Sequence, residues 1–389
     1  MSTSGKPLRI AQLVEALESG GAEALAVDIA GALAERGHES HLIVLRGDGP
    51  FRERVSPAVR LHDLGRPRRD GSQFARVAYF LGTCRRLRAV LRAERIDVLQ
   101  AHLPKANFLG LVMAWWGGGR VFATVHNNRE FDYGDGAGRA KQWLRRFGYR
   151  QMVRGCRGVI AVSDQVRRSL LAELRVDEAR ARRVRVVANG VRATAPVPGP
   201  ERHDRRAGWG VAPGEVLIVG VGRLTRQKDF ASLVRALALL PDDAPPWRCL
   251  IAGEGELRHD LERAIEAAGL EHRCRLAGLV PDVGGLLAAG DIFCLPSRFE
   301  GLPLVLLEAM EAGLPVAAYA IDGVVDVVTE GAQARLAPPG DAQALSSVLL
   351  SLLRDGEARQ ALGAAGRRLV AERYGFDRVV SLLEAAYEA

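Results

Sequence analysis

The chain has 389 residues, 48% of them hydrophobic and 26% charged, the balance of an ordinary cored protein with length for two domains of about 150–200 residues each. Residues 1–200 hold 34 Lys+Arg against 19 Asp+Glu, and the remainder holds 20 against 27. The basic half either binds an anionic partner, such as nucleic acid, lipid headgroups or a phosphorylated substrate, or is a solvated Arg-rich surface.

The start, MSTSGKPLRIAQLV, runs straight into a strand with no secretory signal, which predicts a cytoplasmic protein. Five scattered cysteines without a CxxC pair speak against a disulfide or zinc framework. The run NFLGLVMAWW is too short for a membrane span, which needs about 20 residues.

Strand-like LRIAQLV is followed by a helical AEALAVDIAGALAERG that stops at Gly37, then by ESHLIVL. DVLQAHL, VFATVH, GVIAVS and RVRVVANG continue the series, and VLIVGVGRL, RCLIAGEG, CRLAGLV, DIFCLPS and PVAAYA repeat it. Strand–helix alternation predicts parallel, doubly wound sheets, and two series predict two Rossmann-like domains facing across a cleft. The Pro-, Gly- and charge-rich stretch 190–206 reads as the linker. The expected domains are 1–195 and 196–373, followed by an amphipathic helix over 374–389.

In such sheets ligands bind beyond the carboxyl ends of the strands. After the first strand, Gly20 and Gly21 make either a plain turn or a ligand-approaching loop. His102 with Lys105, and His126, follow two later strands. Asp132 and Asp135 sit in a loop where they either contact a substrate or nothing. In VGVGRLTRQKDF, Gly222 precedes Arg223 and Lys228, which are either two exposed cations or a clamp for a diphosphate. The GxGxxG pattern is not completed, which tells against a dinucleotide site.

SRFEGLPLVLLEAMEAGLPV carries Glu300 in a loop and Glu308 inside an apolar helix. Pro303 suits the first helical position, with Leu304, Val305, Leu307 and Met310 as the apolar face and Gly313 and Pro315 as the stop. Gly301 allows close backbone approach at a helix N-terminus, a natural anion site. Eight residues put the two glutamates roughly 12 Å apart along the axis, at about 1.5 Å per residue. That is too far to act on one atom, so two hydroxyl-binding tasks fit better, unless Glu308 simply faces solvent. No DxD, HExxH or His/Cys set predicts a metal.

Taken together, SGGAE, TVH, VIAVSD, VVANGV, VGRLTRQKDF, IAGEGELR and the two-glutamate stretch resemble family 4 glycosyltransferases over essentially the whole chain. The resemblance implies the GT-B architecture and a retaining, metal-independent transferase with no cofactor, using a nucleotide-diphosphate sugar (UDP-sugar is expected). It implies that Glu300 contacts the donor sugar and Glu308 the ribose. Arg223 and Lys228 would neutralise the leaving diphosphate, supported by Gly222 and by the backbone of Gly301, Leu302, Pro303, Leu304 and Val305. His126 would face the sugar, Gly20 and Gly21 would close over the donor, Asn189 would stand at the hinge, and the terminal helix over 374–389, around Tyr387, would pack back on the first domain. Asp326 departs from the glutamate usual in the family, which leaves that contact open.

The acceptor is expected to be a saccharide or lipid-linked saccharide of a surface polysaccharide. Basic stretches 79–97 and 139–158, interleaved with Trp, Tyr, Phe and Leu, fit peripheral binding to an anionic membrane. A soluble enzyme on a small acceptor, a nucleotide-sugar epimerase and a non-catalytic binder are the alternatives. Nucleic acid is not an expected partner, because the basic half lacks an aromatic stacking platform.

Overall fold

Two parallel sheets organise the chain, each with its own helices. The computed structural model describes residues 6–18, 20–65, 73–127, 139–194 and 198–388. They form two units, one comprising residues up to Asn189 together with those from Asp377 onward, the other Gly190–Phe376.

The first unit holds β1 (Arg9–Ala16), β2 (Glu39–Arg46), β3 (Arg60–Asp63), β4 (Val98–His102), β5 (Arg120–Val125), β6 (Gly158–Ala161) and β7 (Val184–Val186). The second holds β8 (Val216–Val221), β9 (Trp247–Ala252), β10 (Cys274–Gly278), β11 (Ile292–Leu295), β12 (Val316–Tyr319) and β13 (Ala334–Ala337). The strand orders are β3-β2-β1-β4-β5-β6-β7 and β10-β9-β8-β11-β12-β13. Every pairing between these strands is parallel. The central strands are buried on both faces, as helices on either side of a parallel sheet require. The sequence reading missed β3 and β13, four-residue strands at sheet edges.

The first helix, Gly21–Glu35, ends as Gly37 predicts. Gly37 has φ +89°, and its N–H bonds Ala34 O while that of His38 bonds Leu33 O. This paired closure needs a left-handed residue that glycine adopts without penalty. The helix Phe376–Glu388 lies on the first unit from Asp377 on. Arg36 holds it through Ser381 Oγ (2.9 Å), Glu384 Oε2 (2.7 Å) and the carbonyl of Asp377 (2.7 Å). Phe122 of β5 packs against the Tyr387 ring, 5.5 Å between centroids.

Strand order reverses at β1/β4 and again at β8/β11. These are the switch points where loops from neighbouring strands part and open a crevice. Gly20, His102, Lys228 and Glu300 lie at the ends of these strands or in the loops after them, while His126 follows the neighbouring β5.

Candidate functional site

In the second unit the loops after β8 and β11 are stitched to each other. Arg298 N–H donates to Gln227 O at 2.9 Å, and Gln227 Nε2 donates to Phe299 O at 3.1 Å. Arg298 Nε donates to Asp229 Oδ2 at 2.9 Å. Asp229 sits at φ +46°, a left-handed position that short polar side chains tolerate better than most. Its carboxylate also accepts from Ser232 Oγ at 2.9 Å.

This stitching brings Lys228 and Glu300 together. Lys228 Nζ donates to Glu300 Oε1 at 2.6 Å, and Ser297 Oγ donates to the same oxygen at 2.8 Å. Glu300 is 7% exposed. A buried carboxylate is tolerable only when paired in this way. The start of the short helix Asp322–Val325 abuts it from behind, where a Cβ on Gly323 would lie 2.6 Å from Glu300 O. Asp326 follows that helix, partly buried.

Gly222 meets a second constraint. The loop after β9 crosses the loop after β8, so a Cβ on Gly253 would stand 2.0 Å from Gly222 O. Leu224 N–H donates to Glu254 O at 2.9 Å, and Leu257 N–H to Leu224 O at 3.0 Å. Arg223 is exposed beside this interlock.

The helix after Glu300 runs Leu304–Glu311 with Pro303 as N-cap, so it starts one residue later than the sequence reading placed it. Gly301, Leu302 and Pro303 are buried, and no side chain caps the helix. Leu306 N–H bonds Pro303 O at 3.1 Å, while the N–H groups of Leu304 and Val305 before it have no partner inside the helix. The buried face is Leu306, Leu307, Ala309, Met310 and Glu311, while Leu304 and Val305 are partly exposed. The predicted face was therefore rotated, because the helix starts later and packs Glu311 inward. Glu311 Oε1 accepts from Thr194 N–H at 3.2 Å and lies 3.6 Å from Arg367. Glu308 is exposed on the opposite side.

In the first unit, Gly20 is the N-cap of the first helix. A Cβ there would meet the Glu23 carboxylate at 2.1 Å, so the chain's own anion lies over this helix start, as the dipole favours. His102 closes β4 and His126 follows β5, with His102 Nδ1 and His126 Nε2 3.2 Å apart. Burial pushes the His126 ring down to about 4. Burial, and then the neighbouring His126, hold His102 well below the ordinary imidazole range. Both rings are neutral at pH 7. Lys105 pairs with Glu15. Asp132 and Asp135 lie outside the described residues.

A group absent from the sequence reading joins Glu39, His41 and Glu94. Arg60 bridges its two carboxylates, at 3.0 and 2.9 Å, so a guanidinium already holds the position a cation would take. The signal in sequence was weak, because the three come from β2 and the end of the helix Gln73–Ala93.

Residues 19–194 match Glycosyltransferase Family 4, and residues 201–369 match Glycosyl transferases group 1. A 2-deoxystreptamine glucosyltransferase of Streptomyces kanamyceticus is 31% identical over 82% of this chain and 83% of its own. A 2-deoxystreptamine N-acetyl-D-glucosaminyltransferase of Streptomyces fradiae is 29% identical over 94% and 90%. Among solved structures, Anabaena HepE in complex with UDP-glucose superposes with TM-score 0.83 over 98% of this chain and 99% of its own, at 20% identity. The two Rossmann-like parallel-sheet units are those of the GT-B fold. By sequence the chain belongs to the family 4 glycosyltransferases.

Proposed function

We propose that this glycosyltransferase moves a sugar from a UDP-sugar to a saccharide or lipid-linked saccharide acceptor, with retention at the anomeric carbon and without a metal. The observation that carries the reading is the Lys228–Glu300 pair at the switch point of the second sheet, beside an uncapped helix start. An ammonium has three donors, so Lys228 can keep Glu300 and still reach a phosphate oxygen. Arg223 adds a planar fork, and the backbone N–H groups of Gly301, Leu302, Leu304 and Val305 add fixed dipoles. Preorganised charge of this kind stabilises a departing diphosphate.

Glu300 still has lone pairs for sugar hydroxyls, since an ionised carboxylate accepts on both oxygens. We assign Glu308 to the ribose, and His126, a neutral ring, to the transferred sugar. The Gly20–Gly21 turn we assign to closure over the donor. With no nucleophile placed for a covalent intermediate among the described residues, the phosphate oxygen that leaves takes the acceptor's proton from the same face. Complexes of Anabaena HepE, which shares the fold, with UDP and with UDP-glucose support the donor class.

Thermal shifts with UDP, GDP and ADP test the donor site, since a ligand at 100 times its dissociation constant stabilises by about 2.7 kcal/mol. Glu308→Ala chiefly raises the donor KM, while Arg223→Ala and Lys228→Ala lower kcat. Wild-type kinetics in all three would move the site elsewhere. The product's anomeric coupling constant decides retention, and activity in EDTA decides metal independence.

Two acceptor classes have support. Phe80, Leu81, Trp143, Leu144 and Phe147 are exposed on two Arg-rich helices, a mix that suits an anionic membrane surface and a lipid-linked acceptor. No helix among the described residues is long and apolar enough to cross a membrane. Relatives named for 2-deoxystreptamine support a small polar acceptor instead. Co-sedimentation with anionic liposomes at low salt separates the two, and no binding would leave the small acceptor.

A further inference from the structure

We propose that Tyr387 is a positioning residue for His126: through Gln12 and His102, its hydroxyl fixes a single tautomer of that ring, protonated on Nε2 and bare on Nδ1. The inference rests on the role given to His126 above.

The hydrogen bonds form one directed chain. Gln100 Nε2 donates to Thr124 Oγ1 at 2.9 Å. The Tyr387 hydroxyl donates to Gln100 Oε1 and accepts from Gln12 Nε2 at 3.4 Å. Gln12 Oε1 then faces His102 Nε2 at 2.7 Å, so His102 must carry its proton there. A neutral His102 has only Nδ1 left as acceptor, and His126 Nε2 lies 3.2 Å from it. Each step follows from the one before.

Nothing else can easily substitute. Gln12, His102, Asn107 and Tyr387 are fully buried, Gln100 is 1% exposed and Thr124 2%. In such a place a polar group left without a partner is costly, so the amides, hydroxyls and rings hold their orientations as one linked set, and none can turn alone. Burial raises the Tyr387 phenol, which therefore remains a donor. Asn107 clamps β5 two residues before His126, donating from Nδ2 to Thr124 O at 2.8 Å and accepting from Thr124 N–H at 3.2 Å. Leu103, next to His102, is held at φ +70°. Backbone strain of this kind persists where the surroundings over-determine a position.

With Phe at position 387 the Gln12 amide can turn over and offer Nε2 to His102, which reverses the two rings. The test uses the full-length protein with ¹⁵N-labelled histidine and long-range ¹H–¹⁵N spectra, with the His126 signals identified by His126→Gln. The wild type shows one neutral tautomer, and Tyr387→Phe shows two. The same variant lowers kcat about tenfold at unchanged donor KM, comparable to losing an outer partner of a histidine ligand. Val380→Ala, buried on the same helix and outside the chain of bonds, destabilises the protein yet leaves tautomer and kcat as they were. A single Nε2–H tautomer persisting in Tyr387→Phe overturns the proposal, as does Val380→Ala changing the tautomer equally. A tautomer change with kcat untouched upholds the positioning and removes His126 from the reaction instead.

Discussion

Replacing Lys228 by Met removes the ammonium but leaves the stem, which lies against Gly222. At 2.6 Å and an effective dielectric of about 20, the attraction to Glu300 is roughly 6 kcal/mol before desolvation is subtracted. Glu300 then stays buried with Ser297 as its close donor. Lys228 is 15% exposed along its side chain, so water reaches the gap and the net loss falls at the low end for a broken buried pair, about 3 kcal/mol. Glu300→Gln keeps the shape and leaves an ammonium that water can solvate, so it costs about 1 kcal/mol. The double variant should recover about 2 kcal/mol relative to the sum of the singles. Native-state hydrogen exchange of the β8 and β11 amides in ligand-free protein reads this in the second unit alone. Additivity within about 0.5 kcal/mol would show that the two side chains are independent and that the pairing is not what holds Glu300 inside.

The two histidines predict an acid-sensitive first unit. Their folded pKa values are lowered, so the unfolded chain binds more protons between pH 6.5 and about 4, and stability is lost as pH falls through that window. From pH 7.5 to 5, His126 alone accounts for about 2 kcal/mol; a melting temperature as pH-dependent in His126→Gln as in wild type would count against this. Gly253→Ala forces a methyl against Gly222 O at φ +140° and should cost at least about 2 kcal/mol. Gly284→Ala, with its nearest contact at 3.6 Å, serves as the comparison, and equal melting temperatures for the two would refute the interlock. Arg36→Ala removes four hydrogen bonds to the helix Phe376–Glu388 and should weaken its exchange protection by about 1–2 kcal/mol. Unchanged protection over 377–388 would show that burial of Tyr387 suffices to hold the helix.

Sequence alone carried the alternation of strands and helices, because each strand core is a short apolar run ending in Gly or a polar residue. It did not carry β3 and β13: RLHD and ARLA are short edge strands, half covered, with no period to read. Lys228 and Glu300 were legible as chemical types at strand ends. Their pairing was not, since 72 residues separate them and strand order decides which loops meet. At Glu308 the sequence left two orientations open, and the structure exposes it while its apolar neighbours Leu307 and Ala309 are buried. The buried chain of bonds had a trace in sequence, a glutamine inside each of the apolar runs IAQLV and VLQAH. Only the fold shows that both reach for one tyrosine.

Tyr387 meets Gln100 across 287 residues of chain, and the whole second unit is translated between them. On a ribosome adding about 5–20 residues per second, roughly ten to forty seconds pass before the first unit can receive this helix. Throughout that interval the slot that Tyr387 fills stands open, and water must satisfy the Gln12 and Gln100 amides until the helix arrives.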